Sequence, residues 1–335
     1  MKAVQCHAPA MLDSLRLVDL PEPVPPAAGE ITVRIEAGSL NFHDYAVVTG
    51  RLPTADNRIP LSDGAGRVVA LGDGVTDFAI GELVTSLFFP LWIDGRLPAV
   101  ASAQVPGDGV DGYACETVTV PADWFTRVPR NYTASQAATL PCAAVTAWRA
   151  LVVNGRLEAG ESVLVLGSGG VSIFALQIAK AMGAKVIATT SSSEKAEQLL
   201  ALGAKHVVNY RETPEWGEEV LKLTDGRGVD HVVETGGAGT LAQSIVASRP
   251  GGHIAMVGVL AGFAGPVNTA MIMRKQLRIE GLTVGSRKHQ LDLIDAIERL
   301  GIEPLIDTSF PLAEIAEAFR YQESGKHLGK IVVGT

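Results

Sequence analysis

The feature that most constrains the fold is an alternation that begins at residue 162 and continues to residue 282. Short apolar runs, each followed by turn residues and an amphipathic segment, predict β-strands separated by helices. The predicted strands are 163–166, 185–189, 206–209, 229–234, 253–257 and 277–282, and the predicted helices include 171–182, 193–202 and 241–248. Strands that alternate with helices form a parallel sheet, and six of them complete a doubly wound, Rossmann-type sheet.

The first 121 residues follow a different pattern. Runs rich in β-branched residues at 31–35, 66–71 and 116–120 are separated by turn residues, which predicts a mostly antiparallel, barrel-like domain. Further elements follow residue 282, and we expect them to rejoin the first domain because a six-stranded sheet is already complete. The predicted fold class is therefore α/β, with a doubly wound parallel sheet inserted into a barrel. The predicted boundaries are 1–122 for the first part of the barrel domain, 123–265 for the dinucleotide-binding domain and 266–335 for the returning part.

Composition excludes several classes of protein. With 47% hydrophobic and 19% charged residues the chain is globular, and its net charge of −8 disfavours nucleic acid and anionic membranes as partners. Cys6, Cys115 and Cys142 are too few and too widely spaced for a disulfide framework or a zinc knuckle, so we expect a cytoplasmic protein. The start of the chain lacks the apolar run of a signal peptide. The uncharged stretch 254–273 is interrupted by glycines and is interpreted as a strand and a loop, not a membrane span.

A glycine turn follows the first strand of the predicted parallel sheet. Gly167 permits a tight turn, Gly169 lets a pyrophosphate approach the backbone, and the helix that starts near Gly170 and Val171 offers unpaired N–H groups. The third position of the GxGxxG pattern is Ser172. Glycines also serve structural turns, but the position between a strand and a helix favours dinucleotide binding.

The tip of the second strand indicates which dinucleotide binds. An acid at this point would hold the ribose hydroxyls of NAD, whereas residues 189–193 are threonines and serines, followed by Glu194 and Lys195. Hydroxyls, including that of Ser191, and a lysine suit the 2′-phosphate of NADPH. Alternatively, Ser192 or a neighbouring serine only caps the next helix. The two interpretations are compatible, and we predict NADPH.

Four motifs carry a resemblance to a known family. They are residues 39–44 (SLNFHD), 63–66 (DGAG), 140–148 (LPCAAVTAW) and 206–210 (HVVNY). Together with the domain order they make the chain resemble, over essentially its whole length, the medium-chain dehydrogenase/reductase superfamily and within it the zinc-independent quinone and enone oxidoreductases. The resemblance implies a GroES-like barrel, a homodimer and a small hydrophobic quinone, enone or carbonyl substrate. We place the dimer contact at the strand 253–257.

The resemblance also implies roles for individual residues. Asn41 is expected beside the nicotinamide ribose and Thr146 against the nicotinamide face, and with Tyr45 they are the catalytic candidates. Tyr45 is only a neighbour of the places where the branch often has tyrosines, which Ala46 and Leu52 occupy here. Asn41 alternatively caps a helix. The cofactor-binding candidates are Asn41, Thr146, Gly167, Gly169, Gly170, Val171, Ser191, Lys195, Tyr210, Gly258, Val259 and Lys330.

No metal is predicted. Zinc-dependent relatives have a cysteine where this chain has Asn41 and a His-Glu pair where it has Ser62 and Asp63, which leaves Cys142 as the remaining ligand. One thiol cannot form a catalytic zinc site, which needs three protein ligands. We therefore predict an NADPH-dependent reductase of quinones or α,β-unsaturated carbonyls. The alternatives are a zinc-independent alcohol dehydrogenase or carbonyl reductase, and a catalytically inactive NADPH-binding protein.

An aromatic cluster lies between two predicted strands of the barrel. It consists of Phe88, Phe89 and Trp92. Such a cluster lines an apolar substrate pocket or belongs to the ordinary core, and both interpretations stay open.

Overall fold

The structure, a computed structural model, describes residues 1–335 apart from the side chain of Ser102. The chain forms two compact units, which are residues 1–145 with 284–335, and residues 146–283. The strands are β1 Lys2–Cys6, β2 Leu15–Asp19, β3 Glu30–Ser39, β4 Asp63–Leu71, β5 Leu83–Ser86, β6 Thr117–Pro121, β7 Phe125–Arg127, β8 Ser162–Leu166, β9 Lys185–Thr190, β10 His206–Asn209, β11 Val229–Glu234, β12 Ser248–Met256, β13 Arg278–Gly281, β14 Ile306–Pro311 and β15 Lys330–Gly334. The α-helices are α1 Phe42–Val48, α2 Ala134–Ala137, α3 Val145–Trp148, α4 Gly170–Ala181, α5 Ser193–Leu202, α6 Trp216–Leu223, α7 Leu241–Ala247, α8 Thr269–Lys275, α9 Arg287–Leu300 and α10 Ile315–Glu323.

The second unit contains the predicted parallel sheet. Its strand order is β10-β9-β8-β11-β12-β13, and every neighbouring pair is parallel. Strands β8 and β11 are buried at every residue, as expected where helices cover both faces of a sheet. The predicted doubly wound α/β fold is therefore confirmed. The strand 253–257, at which the dimer contact is predicted, is not an edge strand as that prediction requires, because β12 lies between β11 and β13.

The first unit is built around a mostly antiparallel sheet of order β14-β15-β3-β4-β5-β7, with β6 paired to β3. Along β3 buried side chains alternate with less buried ones, and Ile31, Val33 and Ile35 enter the core. The C-terminal strand β15 pairs antiparallel with β3, so the returning segment rejoins this unit as expected.

The boundaries between the units differ from those predicted. They fall after residues 145 and 283 instead of 122 and 265. Residues 134–138 pack their alanines against β3, β4 and β15 of the first unit, which keeps this segment with the barrel. Residues 266–283 stay with the parallel sheet because β13 forms its edge beside β12.

Two apolar stretches of the chain are long enough to be considered as membrane-spanning segments. Residues 254–273 run from β12 through a loop into α8, in agreement with a strand followed by a loop. Among the residues that the structure describes, the helical stretch Ala134–Asn154 is long and apolar enough to cross a membrane, but 72% of its most apolar window is buried in the protein. Core helices pass the same test, so this is weak evidence for a span.

Candidate cofactor site and polar cluster

The glycine turn between β8 and α4 has the form of a phosphate-binding loop. Gly167 has a left-handed φ of +76°, and Gly169 is the N-cap of α4. A Cβ added at Gly167 or Gly169 would meet nothing within 4 Å. Close packing within the protein therefore does not explain why these two positions are glycine. Ser172, at the third position of the motif, donates a hydrogen bond of 2.6 Å to the Leu166 carbonyl and ties the helix to the strand. A glycine turn followed by a helix N-terminus is the usual binding position of a dinucleotide pyrophosphate.

The tip of β9 combines the two interpretations of the serine run. Ser192 caps α5 by accepting a hydrogen bond of 3.3 Å from the Lys195 backbone N–H. Tyr210 lies beside the tip, since its N–H donates to the Thr190 carbonyl at 2.9 Å, and its side chain is 41% exposed. Ser191 and Lys195 are half-buried. The cap is therefore present, and Ser191, Lys195 and Tyr210 are residues near the end of β9.

The segment after β12 is held at the same edge of the parallel sheet. Glu234, the buried last residue of β11, accepts hydrogen bonds from Gly236 N–H at 2.7 Å and Gly237 N–H at 3.0 Å through its carboxylate. Its backbone carbonyl accepts from the Gly258 N–H at 3.2 Å. A Cβ at Gly258 would lie 2.5 Å from a backbone oxygen, so glycine is required there. Gly258 and Val259 thus follow a hydrogen-bonded turn at the carboxyl edge of the parallel sheet, the edge at which open α/β sheets bind ligands.

In the first unit, a polar junction forms where β3 meets α1. Asn41 is the N-cap residue of α1, and its side-chain N–H donates to the Ser62 hydroxyl at 3.2 Å. The Asp44 carboxylate accepts from the backbone N–H groups of Asn41 and Ser62, each at 2.8 Å. Burial raises the pKa of Asp44, although His43 and these hydrogen bonds favour its charged form. The capping position expected as the alternative for Asn41 is therefore present, while its side chain has other partners.

Lys330 completes this junction from the C-terminal strand. Its ammonium donates to the Asn41 side-chain oxygen at 2.5 Å and to the Leu40 carbonyl at 2.7 Å, and the residue is 3% exposed. Asp63, wholly buried, accepts from the Cys142 backbone N–H at 3.3 Å with one oxygen. Burial raises the pKa of the Asp63 carboxyl to about 7, although the Lys330 charge favours the ionised form. We call this group the Asn41 cluster; it consists of Asn41, Asp44, Ser62, Asp63, Cys142 and Lys330.

The Asn41 cluster can orient groups and exchange a proton. It contains a buried cation, an amide with a fixed orientation and a carboxyl that can hold a proton near neutral pH. Burial raises the pKa of the Cys142 thiol well above its ordinary value, so this sulfur is protonated. Among the residues that the structure describes, no three His, Cys, Asp or Glu side chains converge as metal ligands.

The other two catalytic candidates lie in different surroundings. The Tyr45 hydroxyl donates to Glu323 on α10 at 2.5 Å, and its ring packs in the core. Thr146 is buried on α3 in the second unit. Thus Asn41 contacts Lys330 within the first unit, and the Tyr45 hydroxyl is hydrogen-bonded to the C-terminal helix α10. The catalytic roles of Asn41, Tyr45 and Thr146 stay predictions.

The aromatic cluster is buried within the first unit. Phe88 and Phe89 meet edge to face with ring centroids 4.8 Å apart, and Trp92 contacts Phe89 at 6.1 Å. Phe88 also meets the His43 ring at 5.2 Å. Because the exposed fraction of each of the three is 6% or less, they belong to the core, and a pocket beside them would require an apolar ligand.

Glu234, which organises the turn after β11, was missed from the sequence, although an acid at the end of a predicted strand followed by glycines was an available signal. Asp44 belongs to the motif 39–44, and its bond from the Asn41 N–H is a local helix-capping contact. Its bond from the Ser62 N–H, and the contact of His43 Nε2 with Asp108 at 3.5 Å, join segments that are distant in the chain, and local sequence carries no signal for them.

Comparisons with known proteins agree with this architecture. Residues 27–130 match the family model of the alcohol dehydrogenase GroES-like domain, and residues 170–301 match that of zinc-binding dehydrogenases. A zinc-type alcohol dehydrogenase-like protein of Schizosaccharomyces pombe is 40% identical in an alignment of 313 residues that covers 91% of this chain and 90% of that protein. Other curated relatives are mycobacterial polyketide synthases, 30–31% identical, of whose length the chain spans 14–15%.

Solved structures show the same fold over the whole chain. A putative alcohol dehydrogenase from Sinorhizobium meliloti 1021 has a TM-score of 0.92 at 39% identity, covering 100% of this chain and 99% of that one. An NAD-dependent alcohol dehydrogenase has a TM-score of 0.91 at 34% identity, with 100% of both chains covered. A quinone oxidoreductase of Pseudomonas syringae pv. tomato DC3000 has a TM-score of 0.84 at 26% identity, covering 100% and 99%. The chain therefore belongs to the medium-chain dehydrogenase/reductase superfamily and is an oxidoreductase of that superfamily.

Proposed function

We propose that the chain is an NADPH-dependent reductase that transfers hydride to a quinone or an α,β-unsaturated carbonyl without zinc. The observation that supports this most strongly is the Asn41 cluster, in which the Lys330 ammonium is bonded to the Asn41 side chain. Oxidising an alcohol requires a group that stabilises the alkoxide, and a Lewis-acid metal is the usual one. An activated double bond is already electrophilic, so its reduction requires mainly orientation and exclusion of water.

The family model named for zinc-binding dehydrogenases makes zinc the first group to test against these residues. Tetrahedral zinc prefers thiolate and imidazole ligands. The Asn41 cluster offers one thiol, Cys142, whose pKa burial raises, together with an amide, a hydroxyl and carboxylates around a resident ammonium. A buried positive charge opposes a second cation in the same group. The donor set does not fit zinc, and we assign no step to a metal.

The second unit supports the cofactor assignment. A nicotinamide dinucleotide supplies the hydride chemistry when bound. The glycine turn at 167–170 would hold its pyrophosphate, and Gly258 and Val259 would offer backbone groups to the carboxamide. Ser191, Lys195 and Tyr210 surround the strand end where a 2′-phosphate would lie. One similar structure is that of an NAD-dependent alcohol dehydrogenase, and the present proposal differs from it in assigning a 2′-phosphate to this strand end.

The remaining roles in the proposal concern orientation. Asn41 would position the nicotinamide ribose and Thr146 would pack against the nicotinamide ring. We also propose a small hydrophobic acceptor, which the similarity to a quinone oxidoreductase supports. We further propose a cytoplasmic homodimer, for which the soluble fold of the family is suitable.

A carbonyl reductase is the second candidate, and one observation favours it. A carboxyl with a pKa near 7, as burial gives Asp63, can donate a proton to the oxygen of a reduced ketone. Two of the similar solved structures are described as alcohol dehydrogenases.

A panel of acceptors separates these functions. Purified protein would be assayed for NADPH oxidation with a menadione-like quinone, alkyl enones, ketones and aldehydes, and for reduction of NADP⁺ or NAD⁺ with simple alcohols. The proposal requires measurable turnover with quinones or enones and poor turnover with alcohols. Turnover only with ketones and alcohols would establish the second candidate. NADPH binding without turnover of any acceptor would establish a catalytically inactive binding protein.

A further inference from the structure

We infer that Lys330 is a built-in cation of the Asn41 cluster, which excludes a divalent metal and fixes the orientation of the Asn41 amide. The inference concerns the first unit alone and does not depend on which acceptor the enzyme reduces. Three observations support it: the hydrogen bonds of the ammonium, the charged groups around it and the backbone geometry that positions Lys330.

The contacts of Lys330 are those of a structural counter-ion. Its Nζ donates to the Asn41 side-chain oxygen at 2.5 Å and to the Leu40 carbonyl at 2.7 Å, with 3% of the residue exposed. Because an ammonium only donates, the bonded atom of Asn41 must be the oxygen, and the amide N–H₂ then faces the Ser62 hydroxyl at 3.2 Å. Lys330 therefore determines which way the Asn41 amide points.

The charges around Lys330 account for its burial. Asp44 and Asp63 are both buried, and one oxygen of Asp63 has no hydrogen-bond partner among the described residues. A cation near buried carboxylates reduces the cost of removing them from water. A divalent metal at Asn41 and Cys142 would have to displace this ammonium or lie beside it, and like charges repel strongly in a buried site.

The backbone conformation before β15 and the pairing of β15 with β3 position Lys330 beside Asn41. Gly329 has a φ of +84°, and a Cβ there would lie 2.4 Å from the Leu305 carbonyl oxygen, so only glycine permits the turn into β15. The Lys330 N–H then donates to the same carbonyl at 2.9 Å. Strand β15 pairs with β3 in a register that joins Val332 to Ser39, which directs the start of β15 toward Leu40 and Asn41.

The test asks whether Lys330 is what keeps metal out. Asn41→Cys replaces the amide by a shorter thiol and creates, with Cys142 and Asp63, a three-ligand set for Co²⁺ or Zn²⁺. We would compare Asn41→Cys with Asn41→Cys/Lys330→Met, measuring Co²⁺ uptake by its thiolate charge-transfer and d–d absorption and Zn²⁺ affinity by competition with a chelating dye. The double variant should bind about one metal per chain at least 100-fold more tightly than the single variant, which corresponds to about 2.7 kcal/mol.

Matched controls separate charge from structure. Asn41→Cys/Lys330→Arg keeps the positive charge and should stay metal-free. Asn41→Cys/Lys330→Gln loses the charge but keeps a hydrogen-bond donor, and it should bind metal even if the Met variant fails to fold. Asn41→Cys/Lys205→Met removes an exposed lysine of the other unit and should behave like the single variant. Equal metal affinity in folded Asn41→Cys and in its Lys330→Gln derivative would overturn the inference. These readouts need no turnover, so they stand whether or not the proposed reductase activity is found.

Discussion

The prediction with the sharpest structural basis concerns Lys195, where one residue takes part in two separable interactions. Its backbone N–H makes the cap of α5 with the Ser192 hydroxyl at 3.3 Å, and its side chain is proposed to bind the 2′-phosphate of NADPH. Lys195→Ala removes the side chain and leaves the backbone N–H in place. It should therefore affect NADPH binding and spare the cap.

The magnitude follows from the type of bond lost. A charge-assisted hydrogen bond contributes about 1.5 to 3 kcal/mol, so Lys195→Ala should weaken NADPH about 10- to 150-fold. NADH, which lacks the phosphate, should bind almost unchanged. Ser192→Ala removes the cap, a loss of about 1 kcal/mol that lowers the melting temperature by about 3 °C. That substitution should leave the ratio of the NADPH and NADH affinities as it is.

The assay is a titration of each variant with both dinucleotides, followed by nicotinamide fluorescence, together with thermal melts without cofactor. Lys195→Arg, which keeps a phosphate-binding cation, should retain most of the NADPH affinity. Lys205→Ala serves as a control because Lys205 precedes β10 and so lies at the opposite edge of the parallel sheet. If wild-type protein binds NADH as tightly as NADPH, or if Lys195→Ala weakens both equally, the serine run is only a helix cap.

Three further predictions concern the nicotinamide end, metal content and pH. Thr146→Phe should abolish turnover while leaving NADPH affinity largely intact, and Cys142→Ser should be mild; a folded, NADPH-binding Cys142→Ser enzyme that turns over no acceptor would show that this thiol is misassigned. Protein purified without added zinc should contain far less than one metal per chain by elemental analysis and stay active with a chelator, whereas one zinc lost together with activity would refute the metal-free mechanism. Burial, with the charges of Arg278 and His231, lowers the pKa of His253 from 6.5 to about 3. Since the unfolded chain then takes up this proton first, the free energy of unfolding should fall as pH drops from 7 toward 3, and an unchanged slope in His253→Leu would contradict this.

Much of the parallel sheet could be predicted because its signals are local. The predicted strands 206–209 and 229–234 have the bounds found for β10 and β11. The strand predicted at 253–257 is β12, which begins five residues earlier. Ser248 pairs with Val229 and the pairing resumes at His253 opposite His231, so the turn-like residues Pro250, Gly251 and Gly252 lie in a register shift. The early pair at Ser248 depends on a distant strand and has no local sequence signal.

The domain boundaries show a second limit. Residues 123–145 contain helical and strand signals compatible with either unit, and their assignment depends on which surface their apolar side chains cover. Ala137 and Ala138 are buried against Ala37 and Val332, residues that lie far away in the chain. Composition indicates that such alanines are buried but does not indicate their partners.

Lys330 is the residue whose function local sequence could least define. A lysine that opens a short apolar strand carries no local signal for its partner, and only the family resemblance places Lys330 among the predicted cofactor-binding residues. The deciding contact joins residues 289 positions apart, and it exists because β15 pairs with β3 in one particular register. A slip of one residue would turn the side chain to the other face of the sheet. Once the ammonium is buried beside Asn41, the amide at that position is explained, since its oxygen accepts from the lysine while its N–H₂ donates to Ser62. A cysteine at residue 41 would accept such bonds only weakly. Asn41 and Lys330 therefore form a pair that neither motif analysis nor composition reveals. The role of each residue can be assigned only when its contact with the other is known.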